Sequence, residues 1–235
     1  MIPKVIHYCW FGGNPLPKSA QKCIDSWRKF CPDYDIIEWN ENNFDVSLNQ
    51  YVREAYQNKK FAFVSDYVRL YAMYTYGGIY MDTDVEVVKN LDDFLHHEGF
   101  SGFESDVSIP TGIMASQKGF KLFEDLLAYY DTHTFINSDG SFNMTTNVAT
   151  ITSMMYKYGF VPNGKFQIIE GFALYPKDYF CPLENGTGKL TKTSNTATIH
   201  WFNKSWVSPK DRLRSKITKP FHRIFGNDCF KWLKK

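Results

Sequence analysis

The chain of 235 residues has no closely spaced cysteine pair, no long apolar run and no internal repeat. Its five cysteines, Cys9, Cys23, Cys31, Cys181 and Cys229, are scattered. None forms a CxxC pair, which argues against a zinc ribbon or a disulfide framework. Reduced thiols in a cytoplasmic protein are therefore expected. No stretch of about 18 apolar residues occurs, so no segment is expected to span a bilayer. Met1-Ile2-Pro3-Lys4 runs directly into an apolar strand pattern, and a signal peptide is not expected. Nucleic-acid recognition motifs are missing too, and no nucleic acid is expected as a partner.

The composition that remains is that of a globular protein, 43% hydrophobic and 22% charged, long enough to bury a core without cross-links. Aromatic residues make up 17% of it, which fits either a large aromatic core or platforms that stack on rings of a ligand. The net charge of +2 conceals an asymmetry. Residues 204–235 hold ten Lys/Arg against two Asp/Glu, leaving 17 basic and 23 acidic residues in the rest. An acidic body with a basic tail points to an anionic surface as a partner of the tail.

Apolar spacing predicts strands over 5–10, 35–39, 79–81, 85–88, 166–169, 173–175 and 198–201. It predicts helices over 17–30, 51–57, 65–76, 119–130 and 143–158, the third capped by Ser65 or Asp66 and ended by Gly77. Strands alternating with helices in the first half predict an α/β sandwich on a mainly parallel sheet. The division expected is one domain over 1–206 and a basic amphipathic tail over 207–235. In the tail a helix starting at Pro220 would put Phe221, Ile224, Phe225, Cys229, Trp232 and Leu233 on one face, suited to anionic lipid or to docking on the body.

The densest chemistry lies in Ser65-Asp66-Tyr67-Val68-Arg69 and Tyr76-Gly77-Gly78-Ile79-Tyr80-Met81-Asp82-Thr83-Asp84. Asp66 and Arg69, three apart on a helix, share a face. Two glycines then allow a tight turn, and an apolar strand delivers Asp82 and Asp84 at its carboxyl end, where open α/β sheets bind ligands. Paired carboxylates there suit Mn²⁺ or Mg²⁺ bridging to phosphate oxygens, since a bare diphosphate would be repelled. The cation would stabilise a departing diphosphate as a Lewis acid.

These motifs resemble glycosyltransferase family 32, the DXD-containing sugar transferases that include yeast-type mannosyltransferases and bacterial capsule enzymes. The opening Ile2-Pro3-Lys4-Val5-Ile6-His7-Tyr8-Cys9-Trp10 and Asn90-Leu91 after the DXD are similar as well. More distantly the pattern is similar to the glucosyltransferase domains of large clostridial toxins. The resemblance implies a GT-A (Rossmann-like) nucleotide-sugar-binding fold, a divalent cation and retention of anomeric configuration. It implies metal ligation by Asp84 and Asp82, and catalysis carried by Asp82, Asp84 and Arg69. Donor contacts are implied for Trp10, Ser65, Asp66, Arg69 and Asp82, with Trp10 near the base. His200, ending the strand pattern before Trp201-Phe202-Asn203-Lys204-Ser205-Trp206, could be a third metal ligand. Ser205 and Trp206 could close over the diphosphate.

The expectation is thus a Mn²⁺- or Mg²⁺-dependent transferase moving a sugar from a nucleotide-sugar donor, a UDP-sugar rather than a GDP-sugar. The acceptor would be a saccharide or lipid-linked saccharide in capsular or surface polysaccharide synthesis, with the protein cytoplasmic or peripheral on the inner face of the membrane. Thr111-Gly112-Ile113-Met114 could place backbone beside the donor sugar, and Thr145-Thr146-Asn147 departs from the family's usual Gly-Pro loop. Two alternatives stand beside this reading: a haloacid-dehalogenase-like phosphatase using Asp82 as nucleophile, and a non-catalytic protein keeping the fold.

Overall fold

A computed structural model of the protein describes residues 1–203, 209–225 and 229. In chain order its strands are β1 (Val5–Cys9), β2 (Asp35–Trp39), β3 (Gly78–Met81), β4 (Val85–Val87), β5 (Gly99–Gly102), β6 (Ile113–Ser116), β7 (Gln167–Ile169), β8 (Phe172–Tyr175) and β9 (Thr198–His200). The helices are α1 (Lys18–Phe30), α2 (Gln50–Gln57), α3 (Phe61–Tyr76), α4 (Lys121–Asp131), α5 (Asn147–Lys157), α6 (Lys177–Phe180) and α7 (Pro209–Phe225).

Seven strands make one sheet in the order β2-β1-β3-β6-β5-β8-β7, and β4 pairs with β9 in a separate ribbon. The pairings of β1 with β2, β1 with β3 and β5 with β8 are parallel, while β6 and β7 run against their neighbours. Five of the seven strands therefore point the same way, and the carboxyl ends of β1, β3, β5 and β8 share one edge of the sheet.

Alternation along the strands divides the core into two layers. Ile6 and Tyr8 of β1, Ile79 and Met81 of β3, and Ile113 and Ala115 of β6 face a cluster with Ile24 and Trp27 of α1. Tyr80, Met114 and Leu174 face the opposite cluster, with α3 and α4. Burying a side chain such as Trp27 removes it wholly from water and contributes about 1.5–3 kcal/mol. Its Nε1 also donates to the Val85 carbonyl at 2.7 Å, tying α1 to the strand that follows Asp84.

The turn from α3 into β3 depends on its glycines. Gly77 and Gly78 have φ of 71° and 103°. A Cβ on Gly77 would lie 2.6 Å from the Lys118 nitrogen, and one on Gly78 2.6 Å from the Val5 carbonyl. Only residues without a Cβ let β3 drop between β1 and β6 here.

His7 locks the same region. Its buried ring accepts at Nδ1 from Trp39 Nε1 (3.1 Å) and donates from Nε2 to the Gly77 carbonyl (2.9 Å). Burial pulls its pKa down to about 4. Between that value and the usual 6.5 the unfolded chain binds a proton that the folded one does not. The stabilisation is thus complete above pH 6.5 and shrinks as pH falls, by up to about 3 kcal/mol. His7→Gln is expected to be less stable than wild type at pH 7, with the gap between their urea midpoints closing as pH falls to 4. A gap that stays constant contradicts a neutral His7.

Three expectations need correction. α3 starts at Phe61, so Ser65 and Asp66 lie inside it and do not cap it. The reason is the apolar first turn: Phe61 stacks against Tyr56 and Phe63 against Phe135, drawing these residues into the helix. α5 begins at Asn147, not at 143, because the Thr146 side chain accepts from the Ala149 nitrogen and sets the cap there. The tail helix begins at Pro209 and carries Pro220 inside it, since a proline costs one hydrogen bond without forbidding a bent helix. Residues Trp232 and Leu233 of the tail expectation lie outside the described residues.

Candidate active site

The shared strand edge gathers the predicted residues. Asp82 follows β3, and its backbone nitrogen donates to the Gly112 carbonyl at 2.8 Å, continuing the β3–β6 pairing. Its Oδ1 accepts from Tyr80 Oη at 2.9 Å and meets Arg69 at 3.2 Å. Arg69, on α3, also meets Asp66 at 3.1 Å and donates to the Ser65 and Thr111 carbonyls at 3.2 and 2.6 Å. Its guanidinium lies 4.7 Å from the centre of the Tyr80 ring. Two hydrogen bonds and two ion pairs thereby hold the guanidinium within the protein.

Electrostatics follow from this packing. Arg69 is 6% exposed as a side chain and Asp66 13%. Burial pushes the Asp66 carboxyl up to about 6, with Asp82 adding to the rise and Arg69 opposing it. For Arg69, burial acts against the charge, but Asp82, Tyr80 and Asp66 more than offset it.

The second carboxylate is placed by the β4–β9 ribbon. Val85 pairs with His200 across it, so His200 stands beside Asp84, with Nε2 3.2 Å from Oδ1. The Asn203 nitrogen donates to Asp84 Oδ2 at 2.7 Å. Burial would raise the Asp84 carboxyl, yet His200 and Asn203 turn its net shift downward. Burial likewise disfavours the His200 cation, while Asp84 holds its pKa well above the ordinary value. One ligand atom each from Asp82, Asp84 and His200 lie within 4.8 Å of one another. His200 Nδ1 is buried and makes no hydrogen bond of ordinary geometry, and the buried Cys181 thiol interacts with the ring and adds to the rise in its pKa. Two carboxylates and an imidazole suit a divalent cation.

The His200 ring stacks on Phe202 with centroids 4.1 Å apart. Against its other side sits Gly112, where a Cβ would come within 2.7 Å of Cε1 and 2.8 Å of Nδ1. Gly112→Ala is therefore expected to displace the ring and weaken Mn²⁺ affinity about tenfold, as changes behind a ligand do. A Mn²⁺ titration followed by electron paramagnetic resonance reads this, and unchanged affinity contradicts it.

Trp10 lies just past β1 on the same edge, half-buried, with its Nε1 donating to the Asn14 carbonyl at 2.5 Å. Ser65 Oγ donates to the Phe61 carbonyl at 3.0 Å, which leaves its oxygen free only as an acceptor. Ser205 and Trp206 lie outside the described residues. Asp82 Oδ1 is taken by Tyr80 and Arg69, which leaves Oδ2 as the oxygen that could meet a ligand. Sequence reading missed Tyr80, Asn203 and Glu104. Tyr80 was detectable, because it stands two residues before Asp82 on one strand face. Nothing local marks the other two.

A mainly parallel sheet with a DXD at its carboxyl edge and a carboxylate-imidazole cluster beside it defines the GT-A class of nucleotide-sugar-binding folds. Residues 17–101 match the family described as glycosyltransferase sugar-binding region containing DXD motif. Over those residues the chain is similar to the sugar-binding region of the DXD glycosyltransferases, the group its motifs resemble. Inositol phosphoceramide mannosyltransferase 3 of Schizosaccharomyces pombe is 33% identical over 130 residues, half of this chain and 34% of that protein. An uncharacterized glycosyltransferase of Acanthamoeba polyphaga mimivirus is 25% identical over 166 residues, 64% of this chain and 62% of that one. This chain thus spans about a third of the length of the yeast relative. Among solved structures, the PaToxG glycosyltransferase superposes with a TM-score of 0.50 at 16% identity, covering 66% of this chain and 68% of its own. That likeness is one of fold.

Proposed function

We propose that the protein transfers a sugar from a nucleotide-sugar donor to a saccharide or lipid-linked saccharide, with a divalent cation held by Asp84, Asp82 and His200. The observation that carries this reading is the convergence of the two DXD carboxylates with His200, within 4.8 Å of one another. A bound Mn²⁺ or Mg²⁺ would supply Lewis-acid charge opposite the donor diphosphate. Arg69 acts chiefly as a positioning residue, since most of its donors hold Asp66, Asp82 and two carbonyls. Asp66 and Ser65 offer acceptors for donor hydroxyls, and Trp10 offers a ring face for a base. Ser205 and Trp206 are assigned to the diphosphate by sequence alone.

With retention, the acceptor hydroxyl attacks the anomeric carbon on the face the diphosphate leaves. The carbon–oxygen bond to phosphate breaks, and the acceptor's proton passes to the departing phosphate oxygen. A UDP-sugar is the preferred donor because Trp10 suits uracil. The names of the yeast relatives favour a mannosyl donor and a glycolipid acceptor, so GDP-mannose is the second reading. The proposed product is a surface or capsular glycan. Release of nucleoside diphosphate from each sugar nucleotide with Mn²⁺ tests the reading; a protein that neither binds nor cleaves any of them refutes it.

No helix among the described residues is long and apolar enough to cross a membrane. On α7, Leu213, Ile217, Phe221 and Ile224 are exposed by 46–74% on a helix that also bears His222 and Arg223 in its last turn. This favours attachment to anionic lipid. Sedimentation with phosphatidylserine vesicles is expected to fall by about tenfold on Ile217→Glu with Ile224→Glu. Equal sedimentation of the double variant contradicts a lipid role.

A further inference from the structure

A shallow groove of about 440 Å³, open to solvent, runs between the loop ahead of β6 and the length of α5. Ser108, Thr146, Thr152, Ser153 and Tyr156 line it, with two small apolar side chains among them. Five hydroxyls with no charged group in the lining match a neutral polyhydroxylated ligand, although Thr146 and Thr152 already accept from backbone nitrogens and Ser108 pairs with Ser105. Tyr156 is half exposed and offers an aromatic edge of the kind sugars pack against.

Both walls of the groove are tied to the site already described. On the α5 side, Asn147, between the lining residues Thr146 and Val148, donates from Nδ2 to the Asp66 carbonyl at 2.8 Å. Its Oδ1 is buried and has no partner. On the other side the Ile109 nitrogen donates to Thr152 Oγ1 at 3.1 Å, which clamps the loop to α5. The same loop is anchored at its start by the Glu104 nitrogen, which donates to the Ser108 carbonyl at 3.0 Å.

Glu104 lies past the carboxyl end of β5, on the sheet edge that carries Asp82. Its side chain is half-buried and, among the described residues, makes no hydrogen bond or ion pair. Burial raises its pKa, Asp82 adds to the rise, and His200 and Lys177 oppose it. Glu104 therefore feels the charges of Asp82 and His200, and among the described residues its acceptor oxygens are unspent.

We propose that this groove is the subsite for a saccharide acceptor, with Glu104, carried on the loop that forms one wall, receiving a hydrogen bond from the hydroxyl to be glycosylated. The proposal rests on the transferase reading, and the test separates the two. Saturation-transfer NMR is run with methyl glycosides of glucose, galactose and mannose, and with lactose, maltose and cellobiose, in the presence of Mg²⁺ and UDP or GDP. Calorimetry measures nucleotide binding on the same sample. At least one saccharide is expected to bind wild type, and both Ser153→Trp, which fills the groove from an exposed position, and Glu104→Gln are expected to weaken it about tenfold. Tyr156→Ala provides a second groove variant should the tryptophan disturb folding. Nucleotide binding without any saccharide binding, or saccharide binding that survives all three substitutions, overturns the groove assignment. Saccharide binding that responds to the substitutions without any nucleotide binding overturns the transferase reading and leaves the groove standing.

Discussion

Arg69→Met is expected to be the most damaging single substitution in the protein. The side chain is 6% exposed and stands between two carboxylates, Asp66 at 3.1 Å and Asp82 at 3.2 Å. Removing one partner of a buried ion pair leaves uncompensated charge, which costs about 3–5 kcal/mol. The cost here also includes the Thr111 backbone carbonyl, left without the donor that Arg69 supplies. Asp66 shows how near the limit the arrangement lies: its carboxyl is already lifted to about 6 with Arg69 present. Without the guanidinium it would bind a proton at neutral pH. Arg69→Lys restores one charge but cannot reach four partners from a single ammonium, so it should fall between the two. Urea denaturation of the three proteins reads this directly. A methionine variant as stable as wild type would remove Arg69 from the centre of the account.

Asp84→Asn is expected to leave the fold standing and to abolish turnover. The amide oxygen can still accept from the Asn203 nitrogen, whose bond to Oδ2 is 2.7 Å, so the loop after β9 keeps its anchor. What disappears is the negative charge. His200 then loses the group that raises its pKa and returns toward a neutral imidazole. A cation held by Asp82 and His200 alone loses one of the two anionic ligands that offset its double charge. Donor cleavage should fall by about 10³-fold, equivalent to about 4 kcal/mol of lost transition-state stabilisation. Calorimetric Mn²⁺ affinity should fall with it, while the urea midpoint moves little. An asparagine variant with wild-type Mn²⁺ affinity contradicts the assignment of Asp84.

The first half of the chain was readable because its signals are local. Helical spacing in α1, the Gly77-Gly78 pair and the strand that ends at Asp82 each declare themselves within a few residues. β5 and β6 were not legible, since Gly99-Phe100-Ser101-Gly102 carries no alternation and its strand character comes from pairing with β6 and β8. The start of α3 was misplaced because aromatic packing across the core, not a capping side chain, sets it. In the site, Asp66, Arg69, Asp82 and Asp84 are close in sequence and were visible together. His200 could be nominated only weakly, and its partner became clear through the pairing of Val85 with His200, 115 residues apart. Glu104 and Asn203 were beyond reach, because their importance lies wholly in what distant segments bring beside them. Gly112 shows the intermediate case: the sequence marks the glycine, but only the structure shows the imidazole that fills its missing side chain.

The central claim is that the Asp82, Asp84 and His200 cluster serves cleavage of a nucleotide sugar. It is tested most directly by incubating the wild-type protein with a panel of UDP- and GDP-sugars, with Mn²⁺ or with EDTA, and measuring nucleoside diphosphate released. The account predicts slow turnover of one donor, water replacing the acceptor, that EDTA stops and restored Mn²⁺ revives. Release that is indifferent to EDTA, or a protein that binds none of the donors in the presence of Mn²⁺, would contradict it.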